Sequence, residues 1–340
     1  MVALSVSIEP AAAPPDAAVP LVWVLHDGKA GMASQSLGLA EATGFAFVEK
    51  ALDIRAPWGW LPPRLWLAPL AAASHAGLAL RPPWPDLVIG CGRNTAAPAL
   101  AIQRASGGRT VAAQIQDPHI GRLRFDLMVV PEHDKLRGPR VITSKGALNR
   151  VTAEKLAAAL EAFPGLAALP RPILGVLIGG SNRAYSLTFD RLAAIADAVA
   201  ASVAASGGSV VLTPSRRTGE AGLALLRERL AATPAAIWDM TGDNPYYAYL
   251  AVADAFLVTA DSVSMVSEAA ATGKPVHIVS LDGGDAKFAR FHQAMREAGI
   301  TRPFAGRIEA WRYPPLDDTA RAGAKLRALV LDRLEARCTP

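Results

Sequence analysis

Cysteine is scarce: Cys91 and Cys338 are the two in the chain, and their separation fits neither a metal-binding nor a redox spacing. Disulfide frameworks and structural zinc are therefore not expected, and a reducing cytoplasm suits the composition. Long apolar runs are missing as well, since no uninterrupted stretch approaches the roughly 20 residues that span a bilayer. Runs of lysine and arginine are absent, so no nucleic-acid-binding tail is expected. No strand-like segment is followed by a Gly-x-Gly-x-x-Gly turn, and no Tyr-x-x-x-Lys pair stands in a suitable place. Both absences disfavour a nucleotide-sugar epimerase or a dehydrogenase.

What is present is a globular composition, with 51% hydrophobic and 19% charged residues over 340 positions, enough for two domains with separate cores. The net charge of +5 comes from arginine, at 27 residues against 8 lysines. Arginine is the better fork for phosphate or carboxylate, although a GC-rich genome produces the same bias. The first twenty residues are rich in alanine and proline and lack a basic region followed by an apolar one. They are expected to be a disordered tail and not a signal peptide.

The clearest local pattern is Asp254–Leu281. Ala255–Thr259 and Val276–Ser280 are short apolar runs joined by a helix predicted over Ser262–Thr272, the signature of a βαβ unit in a parallel sheet. The turn into that helix is Ala260-Asp261-Ser262, so Asp or Ser caps it and its first amides, near Ser262 and Ser264, point above the strand ends. Amides there suit a diphosphate, and Glu268 further along is placed to accept both hydroxyls of a ribose. An ordinary capped helix with its glutamate in solvent explains the same residues equally well.

The strand–turn–helix order recurs along the chain. Leu21–His26 leads through Asp27-Gly28-Lys29-Ala30-Gly31 into a helix over Met32–Ala42, without the spacing of a Walker motif. Phe45–Lys50 is the next strand. Asp86–Gly90 leads past Arg93 into a helix over Ala96–Ala105, Thr110–Ile115 ends in Gln116-Asp117-Pro118-His119, and Asp126–Val130 runs into Pro131-Glu132-His133-Asp134. Open α/β sheets bind ligands at such strand ends, so Asp117 and His119 fall where a general base is needed, as does Asp27. An Asp before Pro is also a common turn former.

A helix over Thr152–Phe163 is followed by the proline-rich stretch 164–172, the best linker. The pattern then restarts with Ile173–Ile178, the turn Gly179-Gly180-Ser181-Asn182-Arg183 and a helix over Leu187–Ser206. Val210–Thr213 ends at a loop holding Arg216 and Arg217, which suits a diphosphate. The expected fold is α/β, two Rossmann-like domains facing across a cleft. Its parts are a tail (1–20), an amino-terminal domain (21–165), a carboxyl-terminal domain (172–315) and a helix crossing back (316–340).

Residues 55–85 stand apart, with four of the seven tryptophans among many prolines. Tryptophan beside arginine and proline suits a lip on lipid headgroups or on a lipid-linked acceptor. A proline-broken helical hairpin packed on its own domain is the preferred expectation.

Nine blocks, taken in order, carry a resemblance: DGKAGMASQS, GCGRNTAAPAL, QIQDPH, VVPEHD, TSKGALNRV, LIGGSNRAY, PSRRTG, GDNPYYAYLAVADAFLVTADSVSMVSEAAATGKPV and ITRPFAG. Together they resemble the elongated-mitochondria family of fission factors and its bacterial homologues, from about Leu21 to Arg307. More distantly, the Gly179–Ser181 turn and the Ser262–Glu268 helix followed by Gly273-Lys274-Pro275 are similar to the carboxyl-terminal domain of GT-B glycosyltransferases. That similarity implies a nucleoside-diphosphate sugar as substrate, held by Gly180, Ser181, Ser262, Ser264 and Glu268, with no cofactor. Arg183 and Arg216 are added on chemical grounds. The same similarity implies an acceptor role for the domain over 21–165 and a nucleotide-donor role for the domain over 172–315. The amino-terminal loop departs from the peptidoglycan-building enzymes, which leaves the base open among Asp117, Asp27 and His119. Amides and arginines can neutralise a diphosphate, so no metal is required. The expected partners are a nucleotide-sugar donor and a lipid-linked or membrane-held acceptor, and the expected place is the cytoplasm, peripheral to the inner face of a membrane. A non-catalytic scaffold on the same fold is the alternative.

Overall fold

Both faces of the first strand, β1 (Val22–His26), are buried: Val22 and Val24 enter one apolar cluster, Trp23 and Leu25 another. Such two-sided burial is the mark of a parallel sheet covered by helices on both sides. A computed structural model describes residues 19–338 apart from 121 and 135, so all but the last two residues of the expected tail lie outside the described residues. The chain divides into two units. Of the described residues, one holds 19–144, 148–150 and 318–338; the other holds 145–147 and 151–317.

In the first unit β1 is followed by α1 (Ala30–Thr43), β2 (Val48–Ile54), α2 (Pro69–Ala72), β3 (Ala73–His75), β4 (Leu78–Ala79), β5 (Leu87–Cys91), α3 (Arg93–Ala105), β6 (Val111–Ile115), β7 (Leu127–Pro131) and β8 (Val141–Ser144). The sheet order is β4-β3-β2-β1-β5-β6-β7-β8, parallel except for the antiparallel β2–β3 and β3–β4 pairs. The hairpin comes from the tryptophan-rich segment, where a helical hairpin is expected. Its two-residue turn, Ala76-Gly77, has φ of 48° and 75°. Positive φ at both central positions is what a tight hairpin turn matching strand twist requires.

The second unit carries α4 (Ala153–Ala162), β9 (Ile173–Ile178), β10 (Tyr185–Ser186), α5 (Phe189–Ser206), β11 (Ser209–Pro214), α6 (Gly219–Arg229), β12 (Ala235–Ile237), α7 (Tyr246–Val252), β13 (Ala255–Thr259), α8 (Val263–Ala270), β14 (Val276–Val279), β15 (Asp282–Gly283), α9 (Ala286–Glu297) and β16 (Thr301–Pro303). Six strands form a parallel sheet in the order β12-β11-β9-β13-β14-β16, and β10 pairs with β15. The division of the chain falls before α4 and not at the proline-rich stretch 164–172, because Leu156 and Leu160 of α4 pack into the second unit's core. The last helix, α10 (Asp318–Cys338), returns to the first unit and lies against α1 so closely that a Cβ on Gly323 would stand 2.4 Å from the Ala42 Cβ.

Lys274 closes the carboxyl end of α7, its Nζ donating to the carbonyls of Leu250 at 3.0 Å and Ala251 at 2.6 Å. Burial pulls its ammonium down from the ordinary 10.5 to about 8, against the opposing charge of Asp254. Between these values the unfolded chain binds the extra proton, so this lysine makes stability rise with pH. Urea denaturation from about pH 8 to 9.5, below the ordinary tyrosine range, should show the wild type gaining stability relative to Lys274→Met. Parallel curves would place the ammonium in water.

Candidate functional site

β9 ends at Gly179-Gly180, and the first two amides beyond it are both committed. Gly179 N–H donates to Thr259 Oγ1 at 2.8 Å, and Gly180 N–H to Asp261 Oδ2 at 3.0 Å. Neither glycine has a positive φ; each is needed for close approach. A Cβ on Gly179 would stand 2.2 Å from Asp261 Oδ2, and one on Gly180 would stand 2.7 Å from the Arg217 carbonyl carbon. The Asp261 side chain is fully buried, 2.8 Å from Arg217 Nη2. Arg217 also donates to the carbonyls of Gly180 at 2.6 Å and Ser181 at 3.3 Å. Ser215 and Thr218 hydroxyls each donate to the Gly179 carbonyl at 2.7 Å. Three strand-end loops are thus tied around one carboxylate.

Sequence patterning does not single out Asp261 and Arg217 as the organisers. Asp261 reads as one of two possible caps, but Ser262 does the capping, its Oγ accepting from Met265 N–H at 3.3 Å. The Ser262 amide itself donates to the Thr259 carbonyl. The amides of Val263 and Ser264 are then the two in the first turn of α8 without an intrahelical acceptor. Ser181 Oγ accepts from Leu187 N–H at 2.9 Å. Arg183 and Arg216 are exposed, with no partner among the described residues.

Glu268, expected to meet a ribose or solvent, is only 9% exposed. Its Oε2 accepts from the Tyr246 hydroxyl at 2.5 Å. Burial, joined by the charge and hydrogen bond of Glu268, pushes the Tyr246 phenol well above its ordinary range.

In the first unit, Asp27 follows β1 and its Oδ2 accepts from Asn94 Nδ2 at 3.1 Å and from Lys29. Its Oδ1 is enclosed without a hydrogen-bond partner, and so is Asn94 Oδ1. Burial, reinforced by the Asp27 charge, pushes the nearby Cys91 thiol up and keeps it inert. His26, which at a strand's end can be a base or only a packed neighbour, is buried, with Nε2 2.7 Å from Glu49 Oε1 and Nδ1 accepting from Gly28 N–H at 3.1 Å.

Asp117 is brought together with His119 but not left free. It accepts from Arg122 Nε and from His119 N–H, both at 2.8 Å. Partial burial works against its charge, yet the Arg122 hydrogen bond, the His119 amide and the charges of both residues together hold the carboxyl below its ordinary value. The His119 ring is 79% exposed. Gln116 and His119 have φ of 66° and 58°. Left-handed backbone at two non-glycine residues is costly and tends to gather where function requires it.

Removing the central carboxylate should be felt as stability. Asp261→Ala strands Arg217 and the Gly180 amide, and urea unfolding should show a loss of about 1–3 kcal/mol. Arg216→Ala, by contrast, should stay within about 0.5 kcal/mol of the wild type. Equal effects would mean that the two arginines have exchanged roles.

The sequence profile of the family described as Mitochondrial fission ELM1 matches residues 30–330. The mitochondrial fission protein ELM1 of Arabidopsis thaliana is 35% identical over 271 residues, covering 72% of this chain and 63% of the plant protein. The match thus spans less than two thirds of that relative's length. Among solved structures, the UDP-GlcNAc 2-epimerase of Methanocaldococcus jannaschii is similar with a TM-score of 0.58 at 10% identity, covering 92% of this chain and 99% of that one. A UDP-glucosyltransferase from Polygonum tinctorium is similar with a TM-score of 0.50 at 13% identity, covering 94% of each. At such identities the likeness concerns the fold, which is of the GT-B type with Rossmann-like units. Since one neighbour is named an epimerase and another a transferase, the fold does not choose between them. The relatives at the level of sequence do bear on membership, and the chain belongs to the mitochondrial fission ELM1 family.

Proposed function

We propose that the protein is a glycosyltransferase of the GT-B type, moving a sugar from a nucleoside-diphosphate donor to an acceptor hydroxyl. The observation that carries this reading is the second unit's turn cluster. Backbone is brought close at Gly179-Gly180, two α8 amides have no intrahelical acceptor, and Arg183 and Arg216 stand exposed on loops of the same cluster. Helix amides and arginines suit a diphosphate. The shared fold also carries proteins named for UDP-GlcNAc and for UDP-glucosyl transfer.

On this reading the second unit holds the donor. The acceptor oxygen loses its proton to a carboxylate and bonds to the anomeric carbon. The bond from that carbon to the diphosphate breaks, and the amides of Val263 and Ser264, the Ser262 corner and Arg216 stabilise the charge on the departing diphosphate. Fixed dipoles and charges aimed at such developing charge usually account for much of an enzyme's rate enhancement. Asp27 is the preferred base, because its partners are the Asn94 amide and the flexible Lys29 ammonium, whereas Asp117 is held by the Arg122 guanidinium. Glu268 takes a ribose hydroxyl beside Tyr246, since a carboxylate has about four acceptor sites. The reading needs no metal.

The second reading is a non-catalytic scaffold, favoured by the burial of Glu268 beneath Tyr246 and by the plant relative's name. A thermal-shift titration separates the two. Uridine diphosphate should raise the melting point, and Arg216→Gln should weaken it by about tenfold. Asp27→Asn should keep that binding and lose about 10²–10⁴ in turnover of a UDP-sugar. No shift with any nucleoside diphosphate would leave the scaffold standing. Full turnover by Asp27→Asn would remove Asp27 as base.

A further inference from the structure

The loop before β3 divides its large side chains into two sets. Trp58, Leu61 and Trp66 face inward, packed with Ala72 and Ala97, and Trp66 Nε1 donates to the Leu61 carbonyl at 3.2 Å to close the loop. Trp60, Leu65 and Leu67 face outward, 83%, 50% and 92% exposed. A loop already packed by two inward tryptophans has no packing use for a third one in water. Large apolar side chains gathered in this way mark an interaction surface.

The charge of the segment says what kind. No aspartate or glutamate occurs between Asp53 and Asp86, while Arg55, Arg64 and Arg81 are all exposed. A protein partner needs matched hydrogen bonds at about one per 100–200 Å², and the outward side chains of 55–67 offer donors alone, from Arg55, Arg64 and the Trp60 indole. An anionic bilayer surface needs no such match. It accepts apolar side chains into the headgroup–acyl boundary, favours tryptophan at that depth and attracts arginine.

We propose that the 57–67 loop docks the protein onto anionic lipid bilayers, with Trp60 and Leu67 inserting and Arg55 and Arg64 pairing with lipid headgroups. This stands on the loop alone and not on the transferase reading. Both inserted side chains lie outside the core, so their substitution leaves the fold intact, which circular dichroism would verify.

The full chain should float with vesicles of phosphatidylcholine and phosphatidylglycerol in equal parts, and much less with phosphatidylcholine alone, with binding falling as salt rises. Trp60→Ser combined with Leu67→Ser should lower the bound fraction at least about tenfold, and Arg64→Gln about fivefold. Two results would overturn the proposal: no flotation with the mixed vesicles, or flotation unchanged by the double substitution. Self-association in sedimentation that Trp60→Ser abolishes, with vesicles unbound, would also overturn it and make the loop a contact between copies.

Discussion

A buried carboxylate dominates the second unit. Taking Asp261 out of water is costly unless its charge is paired and its lone pairs are met. The chain meets part of that cost at Oδ2, with Arg217 Nη2 and the Gly180 amide, both on loops distant in sequence, and leaves Oδ1 enclosed without a hydrogen-bond partner. Pairing therefore does more than neutralise: it fixes where the β9, β11 and β13 loops stand. The same proximity dictates composition, because Asp261 oxygens fill the space a side chain at position 179 would need. The amino terminus of α8, immediately after Asp261, is positioned as a consequence. Its capping is left to Ser262, since the aspartate is already committed.

The first unit solves a similar problem differently. Its polar strand ends are not gathered on one residue but form two local groups. Asp117 is neutralised by Arg122 within its own loop, across a turn that holds two non-glycine residues at positive φ. Asp27 leans on Asn94 and Lys29 and keeps one oxygen without a partner. An enclosed, unpaired carboxylate oxygen is uncommon in a folded protein and calls for an explanation. Asp261 Oδ1 in the second unit is in the same state, so among the described residues each unit carries one such oxygen at a strand end.

The tryptophan-rich segment shows how composition misleads when topology is unknown. Its prolines interrupt a helical reading correctly, and α2 is a single turn. The rest becomes an antiparallel edge on a parallel sheet, made possible by the Ala76-Gly77 turn. No periodicity announces strands of two and three residues. Nor does it announce β8, four residues long, or which of Trp58, Trp60 and Trp66 turn inward.

Read alone, the sequence determined the βαβ order, the buried strands Ile173–Ile178 and Ala255–Thr259, the Gly179-Gly180 turn and the family. Those features rest on local apolar periodicity, on glycine and capping chemistry, and on motifs carried in order. Tertiary structure decided the rest. It drew α4 into the second unit and returned α10 to the first. It chose Arg217 over Arg216 as the anchor, gave Glu268 to Tyr246, and bound Asp117 to Arg122. Each of those choices depends on which charged group lies within reach of another after folding. Burial then sets what leaving such a group unpaired would cost, and neither quantity is written in the spacing of residues along a chain.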